Sequence, residues 1–302
     1  MRSFSKNNFC RFTLLAAAVV SAAGVFGCSK PRVATPAPDR QAASAIREKL
    51  VTAAVGGGGA EAAAPAGTGW GSLKGRFVFV GAVPADRPLV VDKDTEVCTK
   101  GGKKLLDRSL RVDPSSKGLA DVVVFARKTS RVKDAAPPAE PLVFDQKECE
   151  FLTQVLAGRV GRPIAVKNSD PIGHNTNIAG SAFNQIIEVG KTVSYVPTGE
   201  MGMPQSVTCN IHPWMKAYMI FRKDGYVAVS AADGSFTIPD LPAGETIEFQ
   251  AWHPRSMAAN QVLGLEVPAV KWNAKGRFQV KVEPDGTMDL GTIEVPAALL
   301  GG

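Results

Sequence analysis

From Trp70 to its C-terminus the chain consists of short runs of β-branched and aromatic residues, broken by Gly, Pro, Asn and Asp. No long stretch repeats its apolar residues every 3.6 positions, so helix is excluded as the main element. Runs at 73–80, 120–126, 154–156, 164–168, 192–196, 207–209 and 217–222 read as strands. Further runs lie at 226–230, 235–238, 247–252, 277–282 and 287–294. Such spacing predicts an all-β fold made of sandwiches. Roughly 230 residues are more than one small sandwich needs, so two β units are expected.

The N-terminal residues belong to neither unit. Arg2, Lys6 and Arg11 precede an apolar run over residues 12–26, too short for a comfortable membrane span. Residues 1–27 therefore read as an export signal. It ends in Val25-Phe-Gly-Cys28, which resembles a bacterial lipoprotein signal with Cys28 as the lipidated residue. A plain secretory signal and an uncleaved anchor helix are the alternatives. In each case the folded part is expected outside the cytoplasm, with lipidation placing it on the periplasmic face of a bacterial membrane. Residues 28–69 are rich in Ala, Gly and Pro and include Gly56-Gly-Gly-Gly59. They cannot bury much apolar surface and read as a flexible tether, with a short helical pattern within 39–54.

Cysteine number is informative in an oxidising compartment. Setting aside Cys10 in the signal and Cys28 leaves Cys98, Cys149 and Cys209, an odd set. Cys98 and Cys149 are expected to pair as a disulfide; two unpaired buried thiols are the competing reading. Cys209 has a different context. It opens Cys209-Asn-Ile-His212-Pro-Trp-Met215, and a second histidine, His174, lies upstream in a chain with only three. One thiolate, two imidazoles and a thioether form the ligand set of a blue-copper electron-transfer centre, suited to both copper oxidation states. The plain alternative is a Cys and a Met packed in the core beside a loop histidine. Met201, Met203 and Met219 compete with Met215 for the weak axial position. His174 is expected on an isolated loop, and the other three on a short loop leaving a strand.

The Cys209–Met215 motif resembles the amicyanin and plastocyanin type of cupredoxin, and Asn168-Ser-Asp-Pro-Ile-Gly-His174-Asn175 resembles that family's first-histidine loop. The resemblance covers about residues 150–222. It implies a Greek-key sandwich holding one copper ion, with Asn175 tying the two ligand loops together. It also implies that Pro213 and Trp214 rim the site where the His212 ring approaches solvent and a redox protein, such as a cytochrome c or a dehydrogenase, docks. Packing under the loop is an equal reading for Trp214.

A second resemblance covers residues 223–302. Val229-Ser-Ala-Ala-Asp233-Gly234-Ser-Phe236, followed by Leu241-Pro242-Ala-Gly244, is similar to the carboxypeptidase regulatory-like (transthyretin-like) sandwich, with Asp233-Gly234 as a tight turn. Residues 70–149 fit either unit: the copper unit is inserted between strands of this sandwich, or these residues extend the cupredoxin sheet. The arrangement from Trp70 onward resembles methylamine-utilisation-like proteins of bacteria.

Charge and motifs narrow the function classes. The formal net charge of +7 includes the three cations of the signal, and the remaining Lys and Arg form no clustered stripe, so nucleic acid is not an expected partner. One spare histidine, His253, cannot build a trinuclear copper cluster or a further three-histidine site. No H-E-x-x-H or G-x-S-x-G pattern occurs, so no enzyme activity is expected. His253 itself reads best as a turn residue closing a strand, with metal-ligand and interface roles as alternatives. The leading function is a membrane-tethered electron carrier. A copper-storage protein and a structural module with a vestigial site are the alternatives.

Overall fold

A computed structural model describes residues 69–134 and 136–301. Residues 1–68, over which an export signal, a lipidated Cys28 and a tether are expected, lie outside the described residues. The protein is all-β: sixteen strands among the described residues form four sheets, with one helical turn at Thr95–Cys98 and short 3-10 turns. No helix among the described residues is long and apolar enough to cross a membrane.

Two of the sheets enclose one core. Strand β1 (Trp70–Val80) lies between β13 (Ser235–Pro242) and β16 (Thr287–Pro296), antiparallel to the first and parallel to the second. Facing it is the sheet of β12 (Val227–Val229), β2 (Val123–Ala126), β14 (Thr246–Trp252) and β15 (Arg277–Lys281). Alternation along β1 buries Leu73, Phe77 and Phe79 against Phe236, Phe249 and Phe278. Each fully buried Phe contributes roughly 1.5–3 kcal/mol. Asp233-Gly234 turns the chain between β12 and β13. A side chain at Gly234 would stand 2.0 Å from the Phe77 carbonyl oxygen, so only glycine fits.

The intervening chain builds a second core. Strands β5 (Val155–Arg159), β11 (Lys216–Arg222), β10 (Gln205–Thr208), β7 (His174–Ile178) and β8 (Asn184–Ile187) form one sheet. Strands β4 (Glu150–Phe151), β3 (Leu142–Lys147), β6 (Ile164–Asn168) and β9 (Thr192–Tyr195) form the other. Phe144, Ile164, Val166, Ile178, Val207 and Phe221 fill the space between them. This sandwich begins after β2 and ends before β12, so the first sandwich is completed by strands from both sides of it. Residues 70–149 thus divide, with β1 and β2 in one sandwich and β3 in the other. Val123, Phe125 and Trp252 of the first pack against Val155 and Ile220 of the second.

Four strands have no counterpart in the sequence reading. Strand β7 (HNTNI) carries two asparagines, which are depleted in strands, yet it pairs with both β8 and β10. Consequently His174 opens a central strand rather than sitting on an isolated loop. Three of the four residues of the neighbouring β8 are exposed and β4 has only two residues, so neither shows a clear alternation.

Candidate metal centre

Strands β10 and β11 are antiparallel, with Thr208 opposite Lys216. The loop between them is Cys209–Met215. It is closed by the Cys209 amide donating to the Met215 carbonyl at 3.3 Å and the Met215 amide to that of His212 at 2.9 Å. On the other side of β10, Thr208 pairs with Asn177 of β7. That pairing sets the start of β7, where His174 lies, beside the loop that follows Thr208. Sheet pairing alone thus brings residues 35 and more positions apart to one sheet end.

The three strongest donor atoms converge. His174, Cys209 and His212 place one nitrogen or sulfur each within 4.8 Å of one another, and all three are buried. The Nδ1 atoms of the two histidines face each other at 2.9 Å, and Cys209 Sγ is 3.8 Å from His212 Nδ1. Met215 is buried in the same core. Among its rivals, Met203 packs where the two sandwiches meet and Met219 lies within β11, while Met201 borders both cores. A second group, Cys149, Asp170 and His174, also lies close together, but its cysteine is bonded to Cys98.

Both imidazoles are held from behind. His174 Nε2 donates to Asp170 Oδ2 at 2.7 Å, and His212 Nε2 donates to Asp94 Oδ2 at 2.8 Å. A hydrogen on each Nε2 turns each Nδ1 inward, where their 2.9 Å approach is bridged by one hydrogen in the metal-free pocket, a hydrogen that metal binding would displace. The amides of Asn175 (3.3 Å) and His212 (3.4 Å) donate to the Cys209 sulfur. Asn175 links the two loops: its Oδ1 accepts from the Asn210 amide at 3.1 Å, and its Nδ2 donates to Asn184 Oδ1 and the Gln185 carbonyl.

Charge follows from these contacts. Burial works against a positive His174, but its bonds with Asp170 and Cys209 outweigh that and raise its pKa to about 9. Burial would raise the Cys209 thiol, yet the His174 bond and surrounding amides lower it. Burial lowers His212, partly offset by Asp94. Burial likewise opposes the Asp170 carboxylate, but His174 and the amides of Cys149 and Glu148 lower its pKa overall. The metal-free pocket therefore makes the sulfur easier to ionise, and the thiolate is the form that ligates. Two nitrogens and one sulfur converging among buried residues, with Met215 buried in the same core, fit a soft metal such as copper.

The expected docking rim differs from the geometry. Pro213 is exposed, but His212 has no exposed surface: Asp94, within the segment of residues 81–112, stands at its Nε2 and Trp214 packs against its ring. Trp214 is half-buried beneath that segment and donates its Nε1 hydrogen to the Cys149 carbonyl at 3.1 Å. Its packing role is thus realised, and the His212 edge does not reach solvent. The same segment carries Cys98, which is bonded to Cys149. Sequence reasoning missed both carboxylates. The only signal for Asp170 was its place four residues before His174; Asp94, 118 residues from His212, had none.

His253 is fully buried at the end of β14. Its Nδ1 accepts from the Arg255 amide at 3.1 Å in a tight turn, and burial lowers its pKa to about 3. It belongs to no metal-holding group among the described residues.

No family model matches the chain, and no curated protein matches it. Among solved structures, amicyanin from Paracoccus versutus (Thiobacillus versutus) is 16% identical over 33% of this chain and 97% of its own, with a TM-score of 0.25. A reduced Cu(I) form of an amicyanin mutant is 17% identical over 30% of this chain and 97% of its own, with a TM-score of 0.25. A copper-containing nitrite reductase from Thermus scotoductus SA-01 is 18% identical over 32% of this chain and 25% of its own, with a TM-score of 0.26. Likeness at that level decides nothing about function; the side chains of the pocket must.

Proposed function

We propose that His174, Cys209, His212 and Met215 hold one copper ion of the type 1 kind, and that the protein is a non-enzymatic electron carrier. The observation that carries this reading is the convergence of two inward-facing Nδ1 atoms and the Cys209 sulfur in one buried pocket. Bound there, copper would supply a one-electron couple, held by His174, Cys209 and His212 with the Met215 thioether as a weaker fourth donor. Rigidity matters for such a couple because it limits rearrangement when the electron moves. Here Asn175 ties the two ligand loops, and Asp170 and Asp94 fix the rings. Burial of the three donors suits passage of an electron.

In this proposal Cys28 carries the lipid, and the tether lets the folded part meet a soluble or membrane redox protein on the periplasmic face. Metal-free protein titrated with Cu(II) tests the core of it. One equivalent should bind with an intense absorption near about 600 nm, from thiolate-to-copper charge transfer. Cys209→Ser should lose the band and keep the β fold. Colourless uptake would refute the electron-carrier reading, and no uptake would refute the metal site.

A further inference from the structure

The segment of residues 81–112 lies outside every motif, yet it supplies the carboxylate behind His212. Several observations show that Asp94 is held there rather than arriving by chance. It occupies the residue before the helical turn Thr95–Cys98, where an aspartate ordinarily accepts from the first helix amides. Its side chain makes no such bond. Its carboxylate accepts from His212 Nε2 instead. Its backbone is left-handed (φ 45°, ψ 40°), a conformation few residues other than glycine adopt, though Asp and Asn tolerate it. Backbone strain of this kind persists where the surroundings enforce it.

The surroundings do enforce it. The Asp94 carbonyl accepts from the Cys98 amide at 2.8 Å, and Cys98 is bonded to Cys149. The Cys149 amide in turn donates to Asp170, the carboxylate behind His174. One disulfide therefore stands between the two supports of the pair of imidazoles. Leu89, Val91, Val97, Ile172 and Trp214 pack around Cys98, Leu105 and Cys149, and the Lys93 ammonium reaches the Ile211 carbonyl at 3.3 Å. Asp94 is 41% exposed at its side chain while His212 has no exposed surface, so the carboxylate stands between the ring and water.

We propose that Asp94 is the positioning residue of His212: it keeps the hydrogen on Nε2 so that Nδ1 faces the pocket, and its charge favours the oxidised metal. This rests on the copper reading above. A negative charge beside a ligand stabilises Cu(II) over Cu(I) by Coulomb attraction, weakened here because the carboxylate is partly solvated.

Asp94→Asn keeps an acceptor oxygen and tolerates the left-handed backbone, while removing the charge. Loaded with copper it should stay blue, with the oxidised-to-reduced ratio at a fixed potential lowered about tenfold, a rise of about 59 mV for a one-electron couple. Asp94→Ala should bind copper about 10–100-fold more weakly. In its metal-free form the His212 Nε2 hydrogen, followed by NMR, should exchange with water much faster than in the wild type. An unchanged potential in Asp94→Asn would overturn the electrostatic role, and unchanged exchange in Asp94→Ala would overturn the positioning role. A wild-type protein that takes up no copper would defeat the copper reading, while the exchange measurement would still decide whether Asp94 holds the ring.

Discussion

Replacing Asp170 by Asn probes how the pocket is held together. The buried carboxylate accepts from the amides of Glu148 and Cys149 and from His174 Nε2, the last two at 2.7 Å. An amide keeps one acceptor oxygen and turns the other into a donor, so at least one of those three N–H groups would meet another donor. Losing a charge-assisted bond costs about 1.5–3 kcal/mol. Linkage gives an independent bound. Burial opposes the charge on His174, yet Asp170 and Cys209 raise its pKa to about 9. Moving from 6.5 to about 9 corresponds to about 3 kcal/mol at about 1.4 kcal/mol per pH unit. A pKa raised on folding stabilises fully below the unfolded value and is lost as pH climbs through the folded one. Cys209, lowered on folding, acts in the opposite sense in both proteins. Metal-free Asp170→Asn should therefore be about 2–3 kcal/mol less stable near pH 6. It should also lose much of the His174-linked decline that the wild type shows between about pH 6.5 and 9. Urea denaturation across that range measures both quantities. Equal stability near pH 6, or parallel pH profiles, would refute Asp170 as the support of His174.

Two further outcomes follow from the same contacts. Asn175→Ala removes the three bonds to Asn210, Asn184 and Gln185, and should cost about 2–4 kcal/mol by urea denaturation; a loss under about 1 kcal/mol contradicts the bridging role. Replacing Cys98 and Cys149 together by Ala opens a link across 51 positions, and should cost about 4 kcal/mol by the same assay and speed exchange of the His212 hydrogen. Wild-type exchange in that double variant would show that the segment holds Asp94 without the disulfide.

How much of this was legible in the chain varies with how local the cause is. Strand β6 matches its expected bounds at 164–168, because alternation in Ile-Ala-Val-Lys-Asn is a property of five consecutive residues. The β10 and β11 runs were legible for the same reason, and with them the loop that carries Cys209, His212 and Met215. Strand β7 was not, since His174-Asn-Thr-Asn-Ile owes its extended form to neighbours on both sides. Residues 81–112 were opaque for a further reason. Their order comes from a small cluster around Cys98, Leu105 and Cys149 and from contacts with the ligand loop, neither of which leaves a period in the sequence. Burial of the His212 edge, which overturns the expectation of a solvent-facing ring, came from that opaque segment. The parallel pairing of β1 with β16 was equally out of reach, because its partners lie at opposite ends of the folded chain.

The central claim is that the Cys209 sulfur and two histidine nitrogens meet at one metal. X-ray absorption at the copper edge of the loaded protein reads that shell directly. The expected result is one short sulfur neighbour with two nitrogens, the sulfur disappearing in Cys209→Ser. A shell of nitrogen and oxygen alone in the wild-type protein would contradict the account.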